Sequence, residues 1–413
     1  MATGFAPVLE PEKKAQQPTT GPLTPINEIQ ARLLNYVQDI PDPRVSRTQK
    51  HLLTDILVIA ILAVVATRSL REIAGAQGWE DMENYGLSKQ SWLSEFLELP
   101  NGIPSDDTFR RVFERINPEV LAKVLSQWLP HLIGSLSGEI VPIDGKSLRG
   151  SYDRNQGIKA LHLVTAWAGE QKLVLGQVKV EDKSNEITAI PALLELLDLQ
   201  GAIITLDAMG TQTAIINHIQ AKKADYVVAL KANHPTLYTQ VKNWFEQAQA
   251  HQFDGIQFSY DYRLEKGHHR LEKRWCWAVP LEAFGGLYQQ AQWQGLQSII
   301  MVKRVRHLWN KTTCEVQFYL SSLPADAQKI GNAIRKHWGI ENQAHWILDV
   351  TFNEDKCRIR SGHSPRNFAF LRRVALNALN QESTYRRSLA QKSKRAAMDN
   401  NYMMAVLKAF CQA

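Results

Sequence analysis

The sequence predicts an α/β protein: a mixed sheet with flanking helices, interrupted by a β-rich segment and preceded by a helical region. Three observations carry this. From Glu139 onward, "EIVPIDGK", "LHLVTAWAGE" and "KLVLGQVKVE" are apolar, strand-like runs in close succession. Helical and strand patterns then alternate through "NEITAIPALLELLD", "AIITLDAMG", "TQTAIINHIQAKKA" and "DYVVALK". Residues 252–322 revert to strand-like runs, "SIIMVKRVRHL" and "CEVQFYLSSL" among them, before a helix resumes at "DAQKIGNAIRKHWGIENQAHWIL". A meander followed by alternation implies a sheet of mixed direction.

The elements follow in order. Residues 1–25 are rich in Pro, Thr, Gln and Gly and read as a disordered tail. Residues 26–134 read as a helical domain. Its apolar run Ile56 to Thr67 is too short to span a bilayer and reads as a buried helix. In "IPSDDTFRRVFERI", Ser105 is placed to cap a helix, and Phe109, Val112, Phe113 and Ile116 form its apolar stripe. Arg110 and Arg111 fall largely on the other side, as a DNA-recognition helix or a plain amphipathic one would have them. Residues 135–413 then form the α/β domain, with the β-rich insertion at 252–322 and a basic helical region at 356–413. "AGEQK" reads as a hairpin turn, and Ser184 or Asn185 caps the helix that starts near Glu186. Pro191 bends that helix or marks its first turn.

Composition bounds the function. The chain has 413 residues, 44% hydrophobic and 22% charged, with a formal charge of +7. A basic surplus favours a polyanionic partner. The surplus is concentrated, because Lys356 to Ala396 hold eleven Lys and Arg against one acid, Glu382. This favours a phosphate-binding surface over a merely solvated face. The four cysteines are far apart, which argues against a zinc site and implies no disulfide. No secretory signal or membrane span is evident, so a cytoplasmic, nucleoid-associated location is expected.

The carboxylates then decide the chemistry. With 100° per residue, Ile330, Ile334 and Leu348 lie within about 20° of Glu341, so Glu341 should sit mid-stripe, facing the sheet. His337 and His345 lie within about 40° and Trp338 within about 60°. Asp349 lies about 80° off, and Glu354 and Asp355 fall beyond the helix, where solvent is expected. A buried Glu341 needs a metal or a salt-bridge partner such as Arg335. Asp144 and Asp207 each end an apolar run and are followed closely by Gly, as turn residues or site residues are. An α/β sheet can bring such residues to one edge, although Pro142 weakens a central strand. Three hard oxygen ligands suit Mg²⁺ or Mn²⁺, and two such ions serve phosphodiester cleavage.

These residues lie in "PIDGKSLRGS", "KSNEITAIPALLELLDL", "TLDAMGTQ", "ALKANHPTLY" and "HWGIENQAHWILDVTFNEDKCRIR". Jointly they resemble the DDE transposases of bacterial insertion sequences, in the group with the H-repeat-associated proteins of Rhs elements. The resemblance spans nearly the whole chain. It implies an RNase H-like catalytic core with Asp144, Asp207 and Glu341 as ligands of two Mg²⁺ or Mn²⁺ ions. It also implies double-stranded DNA as partner, cleavage at element ends, joining of the 3′-hydroxyl to target DNA, and a homodimer when two ends are synapsed. A related group carries Tyr-x2-Arg-x3-Glu-x6-Lys around its glutamate; here those places hold Ile334, His337, Glu341 and Leu348, so a hairpin intermediate does not follow. The competing readings are a nuclease of the same fold that does not join strands, and a non-catalytic DNA-binding protein.

Further residues are candidates for DNA contact. Lys146 and Arg149 follow Asp144, and Lys231 follows a strand. His337, Trp338 and His345 flank Glu341, with Trp338 either stacking on an extruded base or packing in the core. Lys356, Arg358 and Arg360 alternate, which puts them on one side of an extended segment. The pair His268-His269 reads as an exposed hairpin rather than a metal site.

Overall fold

The computed structural model describes residues 37, 39–66, 78–154, 157–181, 184–267 and 270–412, without the side chains of 125–131 and 412. The expected tail at 1–25 and the His268-His269 pair lie outside the described residues.

Four helices lead: α1 (Leu53–Val65), α2 (Trp79–Leu93), α3 (Asp106–Arg115) and α4 (Pro118–Ile133). Apart from its second residue, Thr54, α1 is buried along its whole length, as a helix apolar on all sides must be. The α3 stripe is buried as its spacing predicts, Phe109, Val112, Phe113 and Ile116 included. Ser105, however, does not cap it. Its hydroxyl meets Thr108 Oγ1 at 3.2 Å, while the Asp106 amide donates to Glu83 at 3.0 Å.

An antiparallel meander follows, β1 (Ile140–Leu148), β2 (Leu161–Ala168) and β3 (Leu173–Lys179). Helix α5 (Glu186–Glu195) is capped by Asn185, whose side chain accepts from the Ile187 amide at 3.1 Å; Pro191 lies inside it. Strand β4 (Ile203–Leu206), helix α6 (Thr213–Ala221), strand β5 (Asp225–Leu230) and helix α7 (Pro235–Ala250) alternate. β4 is parallel to β1, and β5 to β4. Short, largely apolar strands suit parallel pairing because both faces are covered.

The insertion holds β6 (Ser259–Gly267), β7 (Arg270–Pro280), β8 (Ser298–Leu308) and β9 (Thr312–Ser321). It is not a separate sheet. β9 pairs antiparallel with β5, giving one nine-stranded sheet in the order β3-β2-β1-β4-β5-β9-β8-β7-β6. The first five strands have the RNase H-like arrangement. Pro142 is tolerated because the ladder with β2 begins only at Ile143.

Helix α8 (Ala327–His337), a π-helical turn (Ile340–His345) and α9 (Trp346–Val350) come next. The chain closes with α10 (Ser364–Gln381), α11 (Leu389–Met398) and α12 (Asn400–Gln412). α10 packs on α1, so the leading helices and the C-terminal region share one core. Among the described residues no helix is long and apolar enough to cross a membrane.

The basic tail is partly internal, which corrects the reading of it as one surface. Arg372 and Arg373 on α10 are buried, and so is Lys392, which donates to the Leu379 carbonyl at 2.9 Å. Glu354, expected in solvent, has no exposure at all and pairs with Arg373. Burial alone would raise its pKa, but Arg373 and Arg372 more than offset this and hold it below the usual carboxylate range. A helix buried all round has nowhere to place an arginine except against such an acid. Glu354→Gln should therefore strand Arg373 and cost about 3–5 kcal/mol in a denaturant melt. A loss below about 1 kcal/mol, within the range of ordinary substitutions, would mean that the pair is not needed.

Candidate active site

The parallel register places the two aspartates. Ile143 pairs with Leu206 across β1 and β4, so the next residue on each side is Asp144 and Asp207. β1 does not end at Asp144, as its sequence suggested, but runs on to Leu148 against β2, with Asp144 opposite Thr165. Asp207 does end its strand. Its Oδ1 accepts from the amides of Met209 at 2.9 Å and Gly210 at 3.1 Å, so the carboxylate forms the turn and is fixed by it. Oδ2 has no partner among the described residues.

Glu341 arrives by a different route from the expected one. α8 stops at His337, and in the π-helical turn the Trp346 amide reaches back to the Glu341 carbonyl. A π turn holds more residues than an α turn, so a constant 100° per residue misplaces everything after it. Ile340 and Ala344 take the buried positions instead, and Glu341 is exposed. Among the described residues its carboxylate has no hydrogen bond or ion pair. Arg335, the suggested partner, binds Glu265 at 2.9 Å.

The three acids line one cavity of about 330 Å³, together with Lys231, His337 and Trp338. Among the described residues no three His, Cys, Asp or Glu side chains are close enough to hold an ion as they stand. Burial raises the Asp144 carboxyl to about 6, and the nearby charges of Glu186, Asp207 and Glu341 push the same way against a hydrogen bond from the Gly145 backbone.

Glu186 is the neighbour that sequence reasoning missed, since it was noticed only as the start of a helix. His162 Nε2 lies 2.8 Å from its Oε1, and His162 Nδ1 lies 2.7 Å from Ser147 Oγ. A Cβ on Gly145 would collide with Glu186 Oε1, so this glycine is required by a close approach. The glycine after Asp144 was the available signal, read there as a mark of a turn.

Several expected DNA contacts face inward. Lys146, only 8% exposed, holds Asp349 at 2.7 Å and Asp355 at 3.1 Å, so its charge is spent inside the protein. His345 is buried beside Asp144, Nδ1 to Oδ2 3.6 Å. Burial, then Arg373 and Lys146, lower its pKa to about 4, so it is neutral near pH 7. His337 bonds Thr205 Oγ1 at 2.8 Å, and burial lowers it to about 4 despite Asp207. Arg110 and Arg111 are instead largely exposed, and both pair with Asp107 on their own helix, at 2.6 and 3.2 Å.

Other candidates do face outward. Lys231, Arg149, Lys356 and Arg358 are exposed. Arg360 is half-buried, over the Tyr152 ring at 5.3 Å. Trp338 is 41% exposed, so the core reading of it fails; the Arg304 guanidinium lies 6.0 Å from its ring.

An RNase H-like sheet with Asp, Asp and Glu lining one cavity defines a class of nucleic-acid-cutting proteins. Residues 135–378 match the family model described as "Transposase DDE domain", and 34–129 match "DDE_Tnp_1-associated". The chain belongs to the DDE transposase family. It is 36% identical over 383 residues to the H repeat-associated protein YhhI of Escherichia coli strain K12, covering 91% of this chain and 97% of that one. It is 37% identical to YncI of Escherichia coli O157:H7, covering 91% and 94%. A solved piggyBac transposase synaptic complex with hairpin DNA aligns over 94% of this chain and 79% of that one, at 12% identity and a TM-score of 0.40.

The raised carboxyl gives a pH test. An acid whose folded pKa is raised from 3.8 to about 6 lends stability below about pH 4 that is lost as pH rises through about 6. Asp144→Asn removes that loss. In chelator at pH 8 it should melt above the native chain, and the gap should close as pH falls from about 6 to about 4. A gap independent of pH would mean that neither burial nor its neighbours' charge raises the Asp144 carboxyl.

Proposed function

We propose that this chain cuts phosphodiester bonds at the ends of a mobile DNA element and joins the 3′-hydroxyl to target DNA, with two divalent ions held by Asp144, Asp207 and Glu341. The observation that carries this is the convergence of the three acids on one cavity from positions far apart in the chain. The donor set is all carboxylate oxygen, which suits Mg²⁺ or Mn²⁺. Glu341, unpaired and exposed, can swing toward the aspartates without breaking a bond. Such ions would activate the attacking oxygen and offset charge on the leaving one.

The protein's own groups supply the rest. Asp144 and Asp207 bind through rigid positions, one within β1 and one in a turn held by two amides. Lys231 brings the cavity a cation for the phosphate being cut. His337 and His345, neutral near pH 7, add no charge that would compete with a metal. Arg149, Lys356, Arg358 and Arg360 track the DNA backbone outside the cavity, and Trp338 offers a face at its rim. Double-stranded DNA is the partner. Holding two element ends together calls for a homodimer on DNA, working in the cytoplasm at the nucleoid.

Glu341→Gln should abolish cleavage and strand transfer while DNA binding persists. In chelator its melting temperature should hold or rise, since no ion pair is removed and a charge that repels Asp144 is lost. Mg²⁺ at about 100 times its dissociation constant should stabilise the native protein by about 2.7 kcal/mol and the variant by far less. Equal stabilisation of both would remove Glu341 from the ion site, and unimpaired strand transfer by the variant would overturn the mechanism.

Replacing Arg358 and Arg360 with Ala should weaken duplex binding regardless of sequence. The log–log salt slope should fall by about one unit per phosphate that is no longer neutralised. An unchanged slope would leave these arginines as a solvated face.

A further inference from the structure

The extension β6–β9 segregates its charges. Residues opposite each other in an antiparallel pair share a face. Asp261, Glu265, Glu272 and Glu315 share the face that meets α8, where Gly331 sits over Cys276 and Asp261. Every one of these acids is held by arginine: Asp261 by Arg263 at 2.7 Å, Glu265 by Arg335 at 2.9 Å, Glu272 by Arg274 and Arg306 at 2.5 and 2.8 Å, and Glu315 by Arg304.

The opposite face carries no acid in the rows from Tyr260 to Lys266 and their partners on β7, β8 and β9. One row holds Tyr262, Trp275 and Lys303, the next holds Leu264 and Lys273, and Lys266 follows. Tyr262 is 43% and Leu264 49% exposed. The Tyr262 ring lies 5.4 Å from Trp275, and the Lys303 ammonium lies 6.0 Å from the Trp275 ring. An exposed tyrosine beside a half-buried tryptophan, among unopposed lysines, has two complementary ligands in one molecule, flat bases and a phosphate chain.

We propose that this face binds single-stranded nucleic acid, with bases stacked on Tyr262 and Trp275 and the backbone on Lys266, Lys273 and Lys303. A duplex keeps its bases stacked inside and cannot offer them to a flat sheet, whereas an unpaired strand can. A protein partner fits less well, because lysine is depleted from protein interfaces and here lies among the aromatics. The face spans about 14 Å across four strands and about 20 Å along them, room for a few nucleotides. The catalytic cavity opens beside α8, on the other side of the sheet, so the proposal does not rest on the catalytic reading.

The test uses the full chain in chelator, with fluorescence anisotropy of a short labelled oligothymidylate and of a duplex of equal length. The native chain should bind the single strand. Tyr262→Ala should weaken that binding about tenfold, Tyr262→Phe should keep it, and duplex affinity should be unchanged by either. Lys266→Ala with Lys273→Ala should lower the single-strand salt slope by about 0.7 for each phosphate left without its lysine. This second variant keeps the test open if Tyr262→Ala folds poorly. Native-like single-strand binding by both variants would overturn the proposal. So would equal weakening on duplex, which would make the face a plain basic patch. Sedimentation showing that Tyr262→Ala dissociates an oligomer, with single-strand binding intact, would assign the face to a second copy of the chain instead.

Discussion

The register between β1 and β4 is the constraint on which the site depends. Parallel pairing of Ile143 with Leu206 brings Asp144 and Asp207 level, although 62 intervening residues separate them in sequence. A slip of one residue would turn one carboxylate to the other face of the sheet. The register is held by the buried, β-branched runs on each strand, which have one way to face both layers of helix. The core thus fixes two of the three acids before any side chain at the cavity has to be placed.

The third acid is fixed by a layer of buried charge beneath the cavity. Lys146, two residues past Asp144, grips Asp349 and Asp355 beyond the π turn, and Arg373 grips Glu354. The Lys146 pairs tie the aspartate-bearing strand to the segment that follows Glu341, and the Arg373 pair ties that segment to α10. The site above them gathers four carboxylates, counting Glu186. Burial and the acids together raise Asp144 to about 6, opposed by a hydrogen bond from the Gly145 backbone. A site strained in this way favours a positive ligand.

What the sequence disclosed follows how far each signal reaches along the chain. Asp144 and Asp207 stood out because each terminates a local apolar run, and the helix stripe of α3 was readable from four residues. Glu341 was picked correctly as a member of the cavity but on the wrong geometric ground, since a π turn has no periodic signature that separates it from an α turn. Lys146 and Glu354 were misread because their partners arrive from distant sequence. No local pattern marks a lysine as the partner of acids some 200 residues on, and a single acid in a loop looks solvated until the helix that covers it is known. The insertion was legible as strands but not as an extension of the central sheet, because which edge β9 joins is decided by tertiary packing.

The burial of α1 against α10 bears on how the molecule is made. During synthesis α10 follows α1 by about 300 residues. At the usual 5–20 residues per second, that is about 15–60 s in which α1 has α2 beside it but lacks α10. Its apolar surface must be shielded by other means in that interval. A chain cut short before residue 364 would never bury it by this route. The core that supports the cavity therefore closes only once α10 has been made.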